Sequence, residues 1–312
     1  MSAPALLMSP PAILLCGHGS RDHQAAEEFQ RLAVGLAQRL PEHRVASAYL
    51  EFARPTIRQG LERLRDEGAK ALLAVPCMLF AAGHVKNDIP SELNGFAADN
   101  PGLPITFARD LTIDAKLLHA AADRIRAALA GAPAADSLLL VVGRGTSDPD
   151  ANANIAKLAR LLSEGLGFGW CEIAFSGVAE PRVGPALDRV VRLGFSRIIV
   201  FPYFLFTGVL VKRIYAETDK AQARHPDVAM VKAEYLRDHP LVIEALADRV
   251  EEVGRGENAM NCQLCKYRER MPGYEADHAQ PQIGHHHHVR GIGTDADRPD
   301  EPHHHAHDGH EH

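Results

Sequence analysis

The chain has 312 residues, of which 46% are hydrophobic, and a formal net charge of −6. This length suits two domains with ordinary hydrophobic cores, and nothing in the composition suggests a fibre or a disordered protein. The segment from Gly254 onward holds 6 basic and 10 acidic residues, a net charge of −4, which leaves −2 for the body. A nearly neutral body argues against nonspecific binding to nucleic acid, because such binding needs a basic surface.

The amino terminus lacks the basic segment of a signal peptide, and the apolar run at 12–16 is too short to span a bilayer. The 5 cysteines are an odd number and, apart from Cys262 and Cys265, are widely scattered. This pattern differs from a secreted disulfide framework. We therefore expect a cytoplasmic protein with no membrane partner.

Short β-rich runs alternate with helical patterns along the first half of the chain. Strands are predicted at residues 12–16, 45–49, 71–75 and 105–108, and helices at 22–39, 56–67, 85–96 and 113–129. Apolar strands separated by helical crossovers are typical of a parallel sheet covered on both faces. Gly131 and Pro133 then interrupt both periodicities, which predicts a linker at 130–136.

The second half repeats this order, with strands predicted at 138–142, 171–175, 198–201 and 228–231. An offset of 126 residues (143 − 17) carries the segment 17–20, Gly-His-Gly-Ser, onto 143–146, Gly-Arg-Gly-Thr. The same offset carries Pro55 onto Pro181, and 76–80 onto 202–206. These matches indicate an internal duplication, and we predict two similar flavodoxin-like α/β lobes, residues 1–130 and 131–253.

The composition changes beyond residue 254, where Gly, Pro, Asp and His dominate. Eleven of the 18 histidines lie between His278 and His312. A segment of this kind cannot bury a core of its own, so we expect residues 254–312 to be largely disordered.

Three residues with metal-ligating side chains follow strands of the first copy: His18, Glu51 and His84. In open parallel sheets, ligands bind beyond the carboxyl ends of the strands. A lone histidine after a strand is more often structural, but the duplicate lacks the whole set, with Arg144, Gly177 and Leu210 in its place. Imidazole and carboxylate together suit divalent cobalt, nickel, iron or zinc and can leave coordination positions open for a substrate.

Several longer motifs surround these residues. They are Leu-Cys-Gly-His-Gly-Ser-Arg at 15–21, Tyr-Leu-Glu-Phe-Ala-Arg-Pro at 49–55, the segment 75–90 that ends in His-Val-Lys-Asn-Asp-Ile-Pro, and Met-x-Cys-x-x-Cys at 260–265. With the degenerate second copy, this combination resembles the class II tetrapyrrole chelatases of the sirohydrochlorin branch, in particular the long form of the CbiX family. The resemblance covers the body from about residue 13 to residue 253.

The resemblance implies a class II chelatase fold and a lyase that inserts Co²⁺ into sirohydrochlorin, with release of two protons, in cobalamin biosynthesis. It assigns metal binding and deprotonation of the macrocycle to His18 and His84, and metal or proton handling to Glu51. Because sirohydrochlorin is a polycarboxylate, basic and polar groups should line its site. The candidates are Ser20, Arg21, Arg54, Lys86 and Arg144, with Lys212 as a further one, although such charges are more often solvated surface groups. Met78, Leu79 and Phe80 are candidates for contact with the ring face or for core packing.

In the tail, Cys262 and Cys265 give two thiolates at metal-binding spacing, whereas a four-ligand site needs two more. The family pattern implies an iron–sulfur cluster, which a homodimer could complete with four cysteines. Zinc held with tail histidines, or a pair of free thiols, are the alternatives. The histidine-rich stretch is predicted to bind or store metal loosely.

Two other functions stay open from the sequence. The same fold and ligands would serve a sirohydrochlorin ferrochelatase or a nickel chelatase, because the ligand set discriminates poorly among these ions. A non-catalytic metal-binding or delivery protein would account for the tail but not for a duplicated body.

Overall fold

The structure is a computed structural model that describes residues 10–260 and 264–280. Its body contains two four-stranded sheets in which all neighbouring strands are parallel. The first has the order β2-β1-β3-β4, from β1 (Ala12–Gly17), β2 (Val45–Tyr49), β3 (Leu72–Pro76) and β4 (Ile105–Phe107). The second has the order β6-β5-β7-β8, from β5 (Ser137–Gly143), β6 (Trp170–Phe175), β7 (Arg197–Pro202) and β8 (Ala229–Lys232). The predicted α/β fold with two similar lobes is confirmed.

Among the described residues, eight α-helices follow the strands: α1 (His23–Arg39), α2 (Ile57–Asp66), α3 (Ile89–Asp99), α4 (Ala115–Leu129), α5 (Pro149–Leu166), α6 (Val183–Val190), α7 (Val209–Arg224) and α8 (Pro240–Arg255). The predicted starts of α1 and α2 are one residue earlier than the observed ones, because Asp22 and Thr56 are the N-caps of these helices and not their first residues. The Asp22 carboxylate accepts from Gln24 N, and Thr56 forms a capping box with Gln59. A short π-helical turn, His84–Asp88, precedes α3 within the segment predicted as one helix.

The last helix of each copy packs on the sheet of the other copy. Helix α4 contacts β7, β8 and α5, while α8 contacts β3 and α1. One hydrophobic core therefore extends between the inner faces of the two sheets, and it combines residues such as Leu15 and Phe29 with Val141 and Ile199. Smaller cores cover the outer face of each sheet. The predicted boundary near residue 130 separates the copies along the chain, whereas each folded lobe holds a helix from the other copy.

Part of the tail is packed against the body. Cys265 is buried, and the Lys266 ammonium donates to Ser147 O at 3.3 Å and pairs with Asp277 at 2.8 Å. The same ammonium lies over the Tyr267 and Tyr274 rings, at 5.3 and 5.2 Å from their centroids. These contacts pack a buried lysine against the body. The expectation that residues 254–312 are largely disordered stays a prediction. Cys262 and the histidine-rich stretch 281–312 lie outside the described residues.

In the described part of the chain, no helix is both long enough and apolar enough to cross a membrane.

Candidate metal centre

His18 lies in a tight turn that follows β1 and packs directly on the loop after β2. Glu51 N donates to His18 O at 3.0 Å, which joins the two loops. Gly19 has φ +100°, and a Cβ there would collide with Glu51 O. Only glycine allows this close approach without strain, which explains why Gly follows the histidine.

His84 is positioned by the π-helical turn that starts α3. Its Nδ1 lies 2.7 Å from Asp88 Oδ2, and the Asp88 side chain is fully buried. Asn87 Nδ2 donates to the other Asp88 oxygen at 2.9 Å. A buried carboxylate that accepts from one imidazole nitrogen fixes the ring orientation and makes the other nitrogen a better ligand.

The three predicted ligands converge in the structure. One ligand atom from each of His18, Glu51 and His84 lies within 4.8 Å of the others. His18 Nε2 is 3.1 Å from Glu51 Oε1. The two imidazole rings lie edge to face with centroids 4.7 Å apart. Two imidazoles and one carboxylate on one wall can hold a divalent cation and leave its other positions open.

Hydrogen bonds at the far side of each ring favour the same tautomer. His18 Nδ1 lies 3.1 Å from Gly19 O, a carbonyl that can only accept, and His84 Nδ1 faces the Asp88 carboxylate. We assign the proton of each neutral imidazole to Nδ1 on this basis. Each Nε2 then presents a lone pair to the centre of the site.

The electrostatic setting of Glu51 suits an exchange of protons. Burial raises the pKa of this carboxyl, and the nearby Asp88 also raises it, while His84 and Arg144 act in the opposite direction. Arg144 comes from the second lobe, where it occupies the position of His18. The Arg144 side chain is exposed in the open cleft, but the cleft walls remove enough water to lower the pKa of its guanidinium.

Of the three residues, His18 and His84 line a cleft of about 900 Å³ between the lobes, and Glu51 lies beside them. Its walls are largely apolar, with Phe52, Met78, Leu79 and Phe80 from the first lobe and Phe204, Phe206 and Val209 from the second. A cleft with apolar walls and few polar groups is typical of a site for a large, flat organic ligand.

The structure separates the predicted substrate-binding residues into two groups. Ser20, Arg21 and Arg144 line the cleft. Ser20 Oγ accepts from Asp22 N at 3.0 Å, and the Arg21 guanidinium lies 5.3 Å from the centroid of the Phe52 ring. Arg54 is exposed and lies outside the residues that line the cleft.

Lys86 does not fit the predicted role in substrate binding. Its ammonium is 2.8 Å from Asp148 Oδ2 and 3.4 Å from Asp150 Oδ2, and its side chain is only 4% exposed. Burial acts to lower the pKa of Lys86, but the two carboxylates outweigh it and raise that pKa. Lys86 therefore joins the lobes and is not available to a substrate carboxylate. Lys212 is similarly engaged with Asp22, at 2.6 Å.

Two residues of the site, Asp88 and Phe52, were not predicted from the sequence. Asp88 stands four residues after His84, a helical spacing that could have revealed the pair. Phe52 adopts φ 60° and stacks on His18 with a centroid distance of 6.2 Å. Its position beside Glu51 gave no signal, because the left-handed conformation that turns its ring toward His18 has no sequence signature in a phenylalanine.

Several known chelatases are similar to this chain in sequence and in structure. A sirohydrochlorin cobaltochelatase from Priestia megaterium is 33% identical over 82% of this chain and 84% of its own length. A sirohydrochlorin ferrochelatase from Bacillus subtilis is 30% identical over 77% of this chain and 91% of its own length. The solved structure of SirB from Bacillus subtilis with Fe³⁺ superimposes with a TM-score of 0.72, at 29% identity, and covers 81% of this chain and 100% of that one. The CbiX family model matches residues 12–128 and again 138–253, once for each copy, so the chain belongs to the CbiX family.

Proposed function

We propose that this chain is a sirohydrochlorin cobaltochelatase, which inserts Co²⁺ into sirohydrochlorin and releases two protons in cobalamin biosynthesis. One observation carries the proposal: His18, Glu51 and His84 converge, and the two histidines line a cleft large enough for a tetrapyrrole. The similarity to the Priestia megaterium cobaltochelatase supports cobalt as the substrate metal.

The residues of the site can perform both halves of such a reaction. The two Nε2 atoms and the Glu51 carboxylate hold the incoming Co²⁺ on one side, and its open side faces the cleft. As the ring nitrogens replace water ligands, their N–H protons must leave. Glu51 can accept a proton because its pKa is raised by burial, and each histidine can accept one at Nε2 when it releases the metal.

Substrate carboxylates would be bound at the rim of the cleft. Arg21 and Arg144 line the cleft from opposite lobes, and guanidinium groups bind carboxylates in two-point contacts. Ser20 can add a hydroxyl contact. Arg54 can reach a substrate only outside the described cleft lining, so its role stays a prediction.

An assay with three metals tests the proposal directly. Purified protein is mixed with sirohydrochlorin and Co²⁺, Ni²⁺ or Fe²⁺ in turn, without oxygen, and the tetrapyrrole absorption spectrum is followed. We expect the fastest change with Co²⁺. Faster insertion of Fe²⁺ would support the ferrochelatase alternative, which the similarity to the Bacillus subtilis enzyme favours. Metal binding without any insertion would leave a delivery protein as the better description.

For the tail we propose an iron–sulfur cluster on Cys262 and Cys265, with the remaining thiolates from a second subunit of a homodimer. The described residues do not hold such a cluster by themselves. Cys265 is buried, but around it the described part of the chain provides no further group of metal ligands. No step of metal insertion depends on the cluster. The cytoplasmic location likewise stays a prediction.

A further inference from the structure

The same loop follows the third strand of each sheet, and the two loops begin alike. Leu111 N donates to Met78 O at 3.0 Å in the first lobe, and Leu236 N donates to Phe204 O at 2.9 Å in the second. These bonds identify residues 78–84 and 204–210 as corresponding loops. We call them the ligand loop, because it ends in His84, and the wall loop, because it lines the cleft opposite.

In the first lobe, a carboxylate of that lobe holds the ligand loop. Ala81 N, three residues before His84, donates to Asp110 Oδ2 at 3.0 Å. Asp110 is buried, and the amides of Asp110 and Thr112 also bond to its carboxylate. Nearby, Arg249 contacts Asp110 O and pairs with Glu252. Asp110 therefore connects the ligand loop to a buried, hydrogen-bonded region under the sheet.

In the second lobe, the amide that corresponds to Ala81 N is Thr207 N, and it is bonded to a residue of the first lobe. Tyr235 occupies the position in the second lobe that Asp110 occupies in the first. The Tyr235 hydroxyl donates to Glu28 Oε1 at 2.7 Å. Glu28 Oε2 accepts from Thr207 N at 2.7 Å. Glu28 belongs to α1 of the first lobe, and its side chain is fully buried. The wall loop is thus bound to the lobe that carries the metal ligands.

The two loops also differ in their side chains: the ligand loop ends in a histidine, whereas the corresponding part of the wall loop is apolar. The wall loop carries Phe206, Val209 and Leu210, of which Val209 is 67% exposed in the cleft. Phe206 packs edge to face on Phe29, the neighbour of Glu28, with centroids 5.7 Å apart. Apolar side chains cannot bind Co²⁺, but they can contact the face of a macrocycle. The bond from Glu28 to Thr207 sets the distance between that wall and the helix that follows His18.

We propose that Asp110 and Glu28 are positioning residues with separate tasks: Asp110 sets the ligand loop for the metal, and Glu28 sets the wall loop for the tetrapyrrole. The inference rests on the proposed chelatase function. It goes beyond that function because neither carboxylate lines the cleft, and each acts through a backbone amide of the loop that it holds.

The experiment measures two affinities separately for each variant: Co²⁺ binding without tetrapyrrole, by calorimetry, and metal-free sirohydrochlorin binding, by fluorescence titration. Removal of one hydrogen bond to a charged acceptor should change an affinity that depends on it by about tenfold. Asp110→Ala should weaken Co²⁺ binding by about tenfold and leave tetrapyrrole binding within about twofold, with Asp110→Asn between Asp110→Ala and wild type. Glu28→Ala should do the reverse, with Glu28→Gln as the conservative variant.

Folding is controlled within the same design. For Glu28 variants, unchanged Co²⁺ affinity reports an intact first lobe, and for Asp110 variants, unchanged tetrapyrrole affinity reports an intact cleft. If the alanine variants do not fold, Tyr235→Phe, which removes only the hydroxyl that holds Glu28, and Asp110→Asn test the same division. Equal losses of both affinities in both sets, or no loss in either, would overturn the inference. A wild-type protein that binds both ligands but never inserts the metal would instead overturn the proposed function.

Discussion

The two lobes share their backbone and differ in their chemistry. Gly177 N donates to Arg144 O at 2.9 Å just as Glu51 N donates to His18 O, and Gly145, like Gly19, has a positive φ that permits the contact. Even the left-handed Phe52 has a counterpart in Val178, with φ 60° and 61°. At the three positions of the candidate metal ligands, the side chains of the two copies differ. The same turns therefore form with either set of side chains, so these turns do not require metal-ligating residues.

The largest effect should come from the proposed metal ligands. His18→Ala or His84→Ala should lower Co²⁺ insertion by more than about 100-fold, since loss of a mere outer-shell partner already costs 10–100-fold in many sites. Leu210→Ala, at the position of His84 in the other lobe, is the matched control and should keep the metal affinity. Initial rates of the tetrapyrrole spectral change measure the effect of the histidine variants, and calorimetry with Co²⁺ alone measures the metal affinity of the control. Near-normal insertion by both histidine variants would remove the distinction between the lobes.

Glu51 offers a second test through its pH dependence. Burial raises the pKa of Glu51, so this carboxylate takes up a proton at a higher pH than an ordinary glutamate does. As the pH is lowered, Co²⁺ binding should therefore begin to weaken at a higher pH than it would with an ordinary glutamate ligand. Glu51→Gln should bind Co²⁺ more weakly at neutral pH and lose this acid limb. Calorimetric titrations at several pH values give the comparison.

The raised pKa of Glu51 also predicts how the stability of the metal-free fold depends on pH: low pH should favour the fold, whereas it weakens Co²⁺ binding. A carboxyl with a raised pKa binds more protons in the folded state, so metal-free wild type should lose stability as the pH rises from the ordinary glutamate value through the raised one. Glu51→Gln should lack this loss and melt slightly higher than wild type at neutral pH. A lower melting temperature for the variant would contradict the assigned direction.

The contact between the lobes should be sensitive to Lys86. Lys86→Met leaves the buried Asp148 and the half-buried Asp150 without their cation, which should destabilise the fold by about 3 kcal/mol. Lys212→Met is the matched control, because the Lys212 side chain is 57% exposed and its pair with Asp22 should contribute little. Denaturant unfolding curves report both. Equal effects would mean that burial of the Lys86 pair has no energetic role.

Arg144 tests whether the second lobe contributes binding without chemistry. Arg144→Ala should raise the KM for sirohydrochlorin by about tenfold and leave kcat largely intact, since a guanidinium that binds a carboxylate supplies affinity but no metal ligand. Steady-state kinetics with saturating Co²⁺ separate the two constants. A collapse of kcat at saturating tetrapyrrole would give Arg144 a part in the reaction itself.

Periodicity and duplication predicted much of this structure. Parallel strands place the ends of β1, β2 and β3 at one edge, so the approach of His18, Glu51 and His84 follows from topology. Lys86 was misinterpreted because its partners lie in the other copy, and no local pattern reports how the lobes dock. The exchange of α4 and α8 was hidden for the same reason: an amphipathic helix shows that it has a partner, but not which sheet provides it.

The smallest effect on insertion should come from the tail, whose described part contacts both lobes but does not line the cleft. The described tail donates from Lys266 to Ser147 O in the second lobe and from Asn258 to Phe107 O, but none of its residues lines the cleft. Truncation after Gly256, where α8 ends in a left-handed cap, should therefore leave a folded protein that inserts Co²⁺ at nearly the wild-type rate.

Cys262→Ser separates the proposed cluster from this docking. If two chains share four thiolates, loss of Cys262 should abolish the brown iron–sulfur absorbance while metal insertion continues. Iron analysis and the visible spectrum of protein purified without oxygen measure the first effect, and the insertion assay measures the second. If either the truncated protein or Cys262→Ser is folded but inactive with added metal and substrate, then the tail takes part in the reaction, and the essential chemistry is not confined to the first lobe.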